Sequence, residues 1–461
     1  MLEDLVYLND IHIVDASDVF ILLNKQIGSW CLVSREEKKL VERLSKGPLP
    51  LDILQKENST SGEPIPLFRR LLVSGIININ DVCFLKEEHI EDENQPFTLV
   101  VKTTDRCNLK CRYCYTEYTK ISHKSFNTES LVGSLRRIRE ILGPNRKILV
   151  VFHGGEPLLY FDEIKRAILK INSTFENVEY SIQTNGTLLT HETVSFLQDN
   201  SVRLGLSIDG HLFDLNRNRF KSEHTFLKVL DNIDLLSKSK VTFGLMSVVN
   251  ASNAPFMKES LRWFIDRGVR NFVLNPMISR KGICSTAFFD LMADSYISII
   301  RFIDNWNTKH TDNAQLINER SCSAMIHTLL LQDHGQCYSI PCGAGYNCIA
   351  LDTDSTPYLC DLFMGDPSFR ITDLSRIRTM GEAETIKAFM NSTYTNRKDE
   401  CQNCPFDKIC LFRCPADSYY IHGDFCHRHS QCELTKRLLP RIMKLLASKE
   451  INPSNFIALQ V

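Results

Sequence analysis

Three cysteines in the first third of the chain have the spacing of a metal-binding loop. Cys107, Cys111 and Cys114 form a C-x3-C-x2-C pattern in the segment CNLKCRYC. Three thiolates on one tight loop suit an iron–sulfur cluster, and a set of three leaves one iron of a four-iron cluster without a protein ligand. A zinc site with a distant fourth ligand, or buried thiols without a metal, are the alternatives. The spacing favours the cluster.

A second group of cysteines lies in the last third of the chain. Cys401, Cys404, Cys410 and Cys414 form a C-x2-C-x5-C-x3-C pattern, and ten of the 17 cysteines fall between positions 337 and 432. An odd number of cysteines in a chain without a secretion signal argues against a disulfide framework and for metal binding or thiol chemistry. A zinc ribbon is the simpler interpretation of two close cysteine pairs.

Length and composition exclude several classes of protein. The 461 residues predict two or three domains, and 43% hydrophobic residues supply sizeable cores. The formal net charge of −1 offers no electrostatic surface for nucleic acid. No segment approaches the roughly 18 apolar residues of a membrane helix, and the start, MLEDLVYLND, is acidic where a signal peptide is basic. We therefore expect a cytoplasmic protein that binds neither nucleic acid nor membrane.

Alternating β-like and helix-like segments must position these groups. The predicted strands span residues 97–102, 148–152, 178–183, 202–208, 241–249 and 271–274. The first helix between them has Asn127 as its N-cap, an apolar stripe, and Gly143 at its end. Six βα units predict an α/β fold with a parallel sheet, closed wholly or partly into a barrel or covered on both faces. Either arrangement places the site at the carboxyl ends of the strands.

Several of these strand ends carry polar residues or glycines. The second strand is followed by Gly154, Gly155 and Glu156, where two glycines let the backbone approach a ligand and a carboxylate can hold an ammonium group. Without a ligand, the same segment would be a turn. His153 could face a substrate or fill the barrel. The next two strands end in further candidate binding residues, which are Gln183, Asn185, Ser207 and Asp209.

Together, CNLKCRYC and HGGEP resemble the motifs of the radical S-adenosylmethionine (SAM) superfamily, and the resemblance extends through the βα region in the family's order. It implies a partial (β/α)6 TIM-like barrel, a [4Fe–4S] cluster on Cys107, Cys111 and Cys114, and SAM on the open iron, cleaved to a 5′-deoxyadenosyl radical.

The same resemblance implies roles for individual residues. Tyr113 matches the aromatic position beside the adenine, Glu156 the residue that holds the methionyl amine, and Ser207 a SAM contact. The segment DLNR implies that Arg217 reaches the SAM carboxylate. Because the spacing is shorter than the family pattern, Arg219 is an alternative.

The C-terminal cysteines resemble the SPASM domain of a radical SAM subfamily, which holds two auxiliary [4Fe–4S] clusters. The implied ligand sets are Cys342, Cys348, Cys360 and Cys414 for one cluster, and Cys401, Cys404, Cys410 and Cys432 for the other. Cys426 competes with Cys432 for the last position. Asp361 matches a dipeptide that supplies a general base in sulfatase-maturing relatives, and otherwise it would cap a loop.

The first 92 residues have a pattern of their own. Two β-like runs near residues 19–23 and 29–33 precede a helix that starts with a capping box of Ser34 and Glu37, and a second apolar stripe begins at Leu67. This region resembles the winged-helix element that binds leader peptides as an added strand in peptide-modifying members. A packing or dimerisation module is the alternative. The predicted domains are therefore 1–92, 93–310 and 311–461.

These resemblances imply an enzyme that forms a crosslink, thioether or carbon–carbon, in a ribosomally made precursor peptide with a leader sequence. A flavodoxin- or ferredoxin-like protein would supply electrons. One alternative is an anaerobic sulfatase-maturing enzyme that oxidises Cys or Ser to formylglycine. Another is an iron–sulfur sensor without enzymatic activity.

Overall fold

The computed structural model describes most of the chain. The described residues are 4–51, 67–80, 96–114, 125–278, 285–310, 312–331, 342–372, 374, 383–395 and 399–457. The domain boundary predicted at residue 92 lies outside these residues.

The N-terminal region contains two small antiparallel sheets and two helices. Its elements are β1 (Leu5–Leu8), β2 (Ile11–Asp15), β3 (Val19–Asn24), β4 (Trp30–Ser34), α1 (Lys38–Leu44), β5 (Leu49–Pro50), α2 (Leu67–Val73) and β6 (Ile77–Ile79). The strand orders are β5-β1-β6 and β2-β3-β4. The predicted capping box is present, with Ser34 N donating to Glu37 Oε2 (2.7 Å) and Glu37 N donating to Ser34 Oγ (3.2 Å). Strands β1 and β2 were not predicted, and the winged-helix assignment stays a prediction.

Strand β3 joins this region to the rest of the molecule. Ile21 and Leu23 are fully buried in the main core, whereas Leu22 between them is buried in the smaller N-terminal core. The two-residue period of a strand places alternate side chains on opposite faces. Trp30 adds a hydrogen bond from its Nε1 to the carbonyl of Leu329 (2.9 Å).

The turn between β3 and β4 packs against the cysteine-rich region. Gly28 has φ +72°, and a Cβ added there would lie 2.7 Å from Lys408 Cβ and 3.2 Å from Ile409 Cγ2. These two residues stand between Cys404 and Cys410. The N-terminal region therefore abuts a loop that carries candidate cluster ligands.

We expect Gly28→Ala to lower the free energy of unfolding by about 2–3 kcal/mol, because backbone strain adds to the displacement of Lys408. Gly423→Ala is the matched control, since Gly423 has φ +82° in the left-handed region and nothing lies within 4 Å of an added Cβ. It should lose only the strain contribution of about 1 kcal/mol. Denaturant titration of both variants measures the difference, and equal losses would contradict the packing contact.

A nine-stranded sheet forms the centre of the molecule. Its strands are β7 (Phe97–Thr104), β8 (Ile148–Gly154), β9 (Val178–Thr184), β10 (Arg203–Ser207), β11 (Phe243–Val249), β12 (Asn271–Pro276), β13 (Asn318–Glu319), β14 (Cys348–Leu351) and β15 (Pro357–Tyr358). The strand order is β13-β12-β11-β10-β9-β8-β7-β14-β15. Strands β7 to β12 are parallel neighbours in chain order, as predicted for six βα units.

Helices follow most of these strands and continue into the C-terminal part. They are α3 (Thr128–Leu142), α4 (Phe161–Asn172), α5 (His191–Asp199), α6 (Glu223–Ser237), α7 (Met257–Ile265), α8 (Thr286–Lys309), α9 (Arg320–Leu331), α10 (Glu384–Met390), α11 (Pro415–His422) and α12 (Cys432–Ala447). Helix α3 begins and ends as predicted, because the Asn127 side chain accepts from Glu129 N and Ser130 N, and Gly143 has φ +77°. In the described part of the chain, no helix is long and apolar enough to cross a membrane.

The sheet does not end with the six predicted strands. Strand β14, from the region predicted as the third domain, pairs in parallel with β7, so that Cys348 lies beside Thr98 and Leu351 beside Val101. The short run of β14 gives little local signal, and its pairing partner lies about 250 residues earlier in the chain. The pairing joins the cysteine-rich region to β7, the strand that leads into the predicted cluster loop.

Candidate functional site

The three cysteines of the first motif lie in the loop that follows β7. Leu109 N donates to Cys107 Sγ (3.4 Å), and Cys114 N donates to Cys111 O (3.2 Å). Burial raises the pKa of the Cys111 thiol to about 11, the nearby Arg219 opposes this shift, and the thiols of Cys114 and Cys107 add to it. None of the described cysteines forms a disulfide. The loop therefore presents three neighbouring thiols that form no disulfide.

The end of β8 is joined to this loop through its backbone. Gly155 N donates to Thr104 O (2.7 Å), and Glu156 N donates to Arg106 O (2.8 Å). A Cβ on Gly154 would lie 2.6 Å from Thr104 O, and Gly154 has φ +123°. Both predicted glycines are thus required for the close approach of β8 to the cysteine loop.

The Glu156 carboxylate is fully buried. It accepts hydrogen bonds from Thr184 Oγ1 (2.6 Å), Asn185 N (2.8 Å) and Leu158 N (3.1 Å). Burial raises the pKa of Glu156, and these donors partly offset that shift. The carboxylate therefore fixes the end of β9 relative to β8.

We expect Glu156→Gln to lower the free energy of unfolding by about 1–3 kcal/mol, since an amide nitrogen would meet donors that now face a carboxylate. Thr184→Val removes only one of the three donors and should cost about 1 kcal/mol. Urea denaturation of both variants tests this order. A Gln variant as stable as the wild type would show that the three donors find other partners.

Asn185 connects β9 to the cysteine loop. Its Nδ2 donates to Asn108 Oδ1 (2.8 Å) and approaches Cys107 Sγ at 3.8 Å, while its Oδ1 accepts from Thr187 N (3.0 Å). Asn108 Nδ2 in turn donates to Thr187 Oγ1 (2.7 Å). This predicted binding residue therefore also positions the first cysteine of the loop.

A buried polar network lies on the other side of the loop. The Tyr113 hydroxyl donates to Asp209, whose Oδ1 also pairs with Arg219 Nη2 at 3.2 Å. The Arg219 guanidinium carbon stands 5.5 Å from the centre of the Tyr113 ring. Arg219 Nε is buried and has no hydrogen-bond partner among the described residues.

Arg217 instead pairs with Asp214 (2.6 Å), and its side chain is 66% exposed. The structure thus brings the alternative arginine to the site and leaves Arg217 at the surface.

Polar residues of neighbouring strands lie side by side on the interior face of the sheet. Lys102 of β7 lies beside His153 of β8 in the parallel register. The nearly buried Lys102 pairs with Asp105 and with Asp352 (3.3 Å), which follows β14. Burial lowers the pKa of His153, and the negative charge of Asp361 opposes this shift. The two predicted catalytic residues, His153 and Asp361, therefore interact electrostatically.

Two more predicted residues face this interior region. Gln183 Oε1 would be only 2.1 Å from a Cβ on Gly205, so the glycine makes room for the Gln183 side chain. This oxygen is buried and lacks a hydrogen-bond partner in the part of the chain that the structure describes. Ser207 is half-buried at the end of β10.

The C-terminal cysteines divide into two sets according to which thiols shift one another's pKa. Burial raises the pKa of Cys360, and Asp361 and the thiols of Cys342, Cys348 and Cys414 contribute. Burial also raises the pKa of Cys410, with contributions from Cys432, Cys404, Cys401 and Asp407. These two groups of four have the same members as the ligand sets that the sequence implied.

Cys426 lies in the same pocket as the second set. The pocket is lined by Cys401, Cys404, Cys410, Cys426 and Cys432, among others. Cys426 N donates to Asp424 Oδ1 (2.8 Å), which fixes its loop. Of the two competing residues, only Cys432 is among the thiols that shift the pKa of Cys410.

Comparison with known proteins identifies one domain of the chain. Residues 101–264, which contain the cysteine loop, β8 and its glycines, match the radical SAM superfamily. These residues are a radical SAM domain. Relatives include the cysteine-type anaerobic sulfatase-maturating enzyme of Clostridium perfringens, 27% identical over 69% of this chain and 89% of the relative. The serine-type enzyme of Klebsiella aerogenes is 26% identical over 70% of this chain and 80% of its own length.

Solved structures share the fold of the radical SAM domain and more of the chain. The structure of anSMEcpe with bound AdoMet and Cp18Cys peptide has a TM-score of 0.62 and 21% identity, and covers 77% of this chain and 100% of that one. Streptococcus suis SuiB bound to precursor peptide SuiA has a TM-score of 0.55 and 15% identity, over 93% of this chain and 99% of that one. These likenesses confirm the predicted fold class.

Lys102 and His429 were not predicted as site residues from the sequence. In the sequence, Lys102 is a single cationic residue within a predicted strand. Its ion-pair partner Asp352 lies 250 positions further along the chain. His429 stands next to Cys410. A lysine inside an otherwise apolar strand was the available signal for the first, because a buried charge needs a partner.

Proposed function

We propose that this chain is a radical SAM enzyme that forms an intramolecular crosslink, thioether or carbon–carbon, in a ribosomally synthesised precursor peptide. The observation that carries the proposal is the N-terminal region packed through β3 on the main core. The likeness to SuiB, a structure with a bound precursor peptide, extends over 93% of this chain, whereas that to anSMEcpe covers 77%. A leader-binding enzyme requires a module for the leader peptide in addition to the maturase fold.

The donor sets fit the cofactors. We assign a [4Fe–4S] cluster and SAM to Cys107, Cys111 and Cys114, because three neighbouring thiols without a disulfide leave one iron open. When bound, this pair of cofactors supplies a 5′-deoxyadenosyl radical that abstracts hydrogen. Two auxiliary [4Fe–4S] clusters are assigned to the two sets of four C-terminal thiols.

The chain's own residues orient SAM in this proposal. Arg219, rather than Arg217, holds the carboxylate, since its buried Nε has a free hydrogen and its charge is already fixed by Asp209. Tyr113 borders the adenine. Gly154 and Gly155 permit the close backbone approach, and Glu156 accepts the methionyl amine.

His153 and Asp361 form the proposed acid–base pair at the interior face of the sheet. The lowered pKa of His153 keeps its imidazole neutral near pH 7, so it can accept a proton from a substrate group. Asp361, next to Cys360, stabilises the imidazolium that results. Gln183 and Ser207 line the space above them and would contact SAM or substrate.

The leader peptide would add to an outer strand of the N-terminal sheets. In the β2-β3-β4 sheet, β4 carries Trp30, which contacts the C-terminal part of the chain. On the opposite edge, Ile13 of β2 is 44% exposed. Strand β2 is therefore the proposed pairing edge. The flavodoxin- or ferredoxin-like electron donor stays a prediction.

The test is the intact mass of the small peptide encoded beside the gene, after anaerobic co-expression with the wild-type protein or with the Cys107/Cys111/Cys114→Ala variant. A loss of two hydrogens per crosslink, only with the wild type, is expected. An unchanged peptide together with active SAM cleavage would refute the crosslinking reaction. Absence of SAM cleavage under reduction would instead favour an iron–sulfur sensor.

A sulfatase-maturing enzyme is the second candidate, favoured by the identity with such enzymes over about 70% of the chain and by Asp361 directly after Cys360. Its test is a synthetic peptide with the Cys or Ser of a sulfatase site. Conversion of that residue to formylglycine, with the precursor peptide unchanged, would replace the first proposal.

A further inference from the structure

The auxiliary thiol Cys410 has a histidine beside it. His429 Nε2 lies 3.4 Å from Cys410 Sγ, and His429 is 6% exposed. The other ring nitrogen, Nδ1, accepts a hydrogen bond from the backbone N–H of Gln431 at 3.2 Å. A backbone N–H can only donate, so Nδ1 carries no proton and the proton of the neutral ring is on Nε2. His429 therefore donates to the sulfur of Cys410.

The surrounding loop holds His429 in this position. Ser430 N donates to Asp417 Oδ2 (2.7 Å), and Ser418 Oγ donates to His427 O (2.7 Å), which ties the loop to α11. Gln431 Nε2 donates to the carbonyl of Met277, just after β12 (2.8 Å). The loop is thus fixed to both the C-terminal region and the radical SAM barrel.

His429 also contacts a second member of the same thiol set. Its backbone carbonyl accepts from Cys432 N at 3.2 Å. One residue therefore bridges Cys410 through its side chain and Cys432 through its backbone. In the other set, the thiol of Cys342 accepts from the backbone N–H of Ala344 at 3.5 Å.

We propose that His429 is a positioning residue that raises the reduction potential of the auxiliary centre held by Cys401, Cys404, Cys410 and Cys432. This inference rests on the auxiliary centres of the proposed function. A hydrogen bond to a ligand sulfur is stronger when the sulfur carries more negative charge, so it stabilises the reduced form of the centre. Burial of the imidazole keeps water from replacing it.

The experiment is a redox titration followed by electron paramagnetic resonance, on full-length protein with Cys107, Cys111 and Cys114 replaced by alanine. This parent lacks the ligands of the radical SAM cluster, so only auxiliary signals remain. His429→Phe removes the donor, and His429→Gln retains an N–H. His422→Phe is the matched control, because the exposed His422 on α11 bonds to the carbonyl of Arg428 (3.1 Å).

We expect one of the two midpoint potentials to become more negative in His429→Phe, with a smaller shift in His429→Gln, and none in His422→Phe. The iron content should stay at about eight atoms per chain. Unchanged potentials with full iron would overturn the proposal. Loss of iron in both His429 variants would also overturn it, since the histidine would then be needed to hold the centre. A parent protein without auxiliary iron would instead show that the proposed auxiliary centres are wrong.

Discussion

Replacing Gly155 by alanine should remove the iron held by Cys107, Cys111 and Cys114 and reduce SAM cleavage by about 100-fold or more. The added Cβ would lie 2.0 Å from the carbonyl oxygen of Arg106 and 2.6 Å from its carbonyl carbon. These are backbone atoms, so no change of rotamer can relieve the overlap. Arg106 directly precedes Cys107, and any retreat of its backbone moves the first ligand of the loop.

The control for this prediction is Gly133→Ala. Gly133 lies within α3, and nothing stands within 4 Å of an added Cβ. Alanine in a helix interior should stabilise the protein by about 0.5–1 kcal/mol and leave iron unchanged. With the three clusters proposed above, a chemical iron assay should give about twelve atoms per chain in the control and about eight in Gly155→Ala. Full iron and full SAM cleavage in Gly155→Ala would show that the loop moves without losing its ligands.

The barrel strands could be predicted because each is an apolar run bounded by turn residues. Their ends could not, and β7 and β8 both extend two residues further than predicted. The added residues, Thr103, Thr104, His153 and Gly154, are polar or small. They belong to the strands because the pairing of β7 with β8 extends to them, with Lys102 beside His153, a register shift at Thr103, and Thr104 beside Gly154. Pairing with the neighbouring strand determines where a strand with polar end residues stops, and the local sequence does not contain that information.

The N-terminal region shows the same limit. Strand β3 is apolar from Val19 to Leu23, so these residues were predicted as a strand, but its side chains pack into two different cores. Strands β1 and β2 are only four and five residues long, so each gives little local signal. Strand β1 is determined by its pairing with β6, about 70 residues later, and β2 by its antiparallel pairing with β3. The spacing of the cysteines pointed to cluster loops, whereas the division of the C-terminal cysteines into two sets came from the resemblance to the SPASM domain, because spacing alone does not say which four thiols lie together.

The arginine at the site illustrates what spacing alone leaves open. Arg217 and Arg219 are two residues apart in a turn. Arg217 faces Asp214 in the preceding helical turn, whereas the backbone N–H of Arg219 donates to Asn216 O (2.8 Å) and its side chain points inward. Asn216 also accepts from Asp209 N (2.8 Å). The fold of this turn, which the sequence pattern did not specify, decides which arginine reaches Asp209.

Arg219→Lys should therefore weaken SAM binding by about 30- to 150-fold, which corresponds to the loss of about 2–3 kcal/mol of charge-assisted hydrogen bonding. Lysine retains a positive charge for the buried Asp209 but lacks the guanidinium Nε that is free for a ligand. The fold should survive, whereas Arg219→Ala would leave an unpaired buried carboxylate and cost about 3–5 kcal/mol of stability.

Arg217→Ala is the matched test of the alternative assignment. Its ion pair with Asp214 is exposed, and exposed pairs contribute at most about 1 kcal/mol, so both stability and SAM affinity should stay close to those of the wild type. Equilibrium binding of SAM to the reconstituted protein, measured by calorimetry, compares the three proteins. A large loss of affinity in Arg217→Ala with none in Arg219→Lys would return the carboxylate contact to Arg217. It would also mean that the turn after β10 rearranges when SAM binds, because the two arginines now point to opposite sides of that turn.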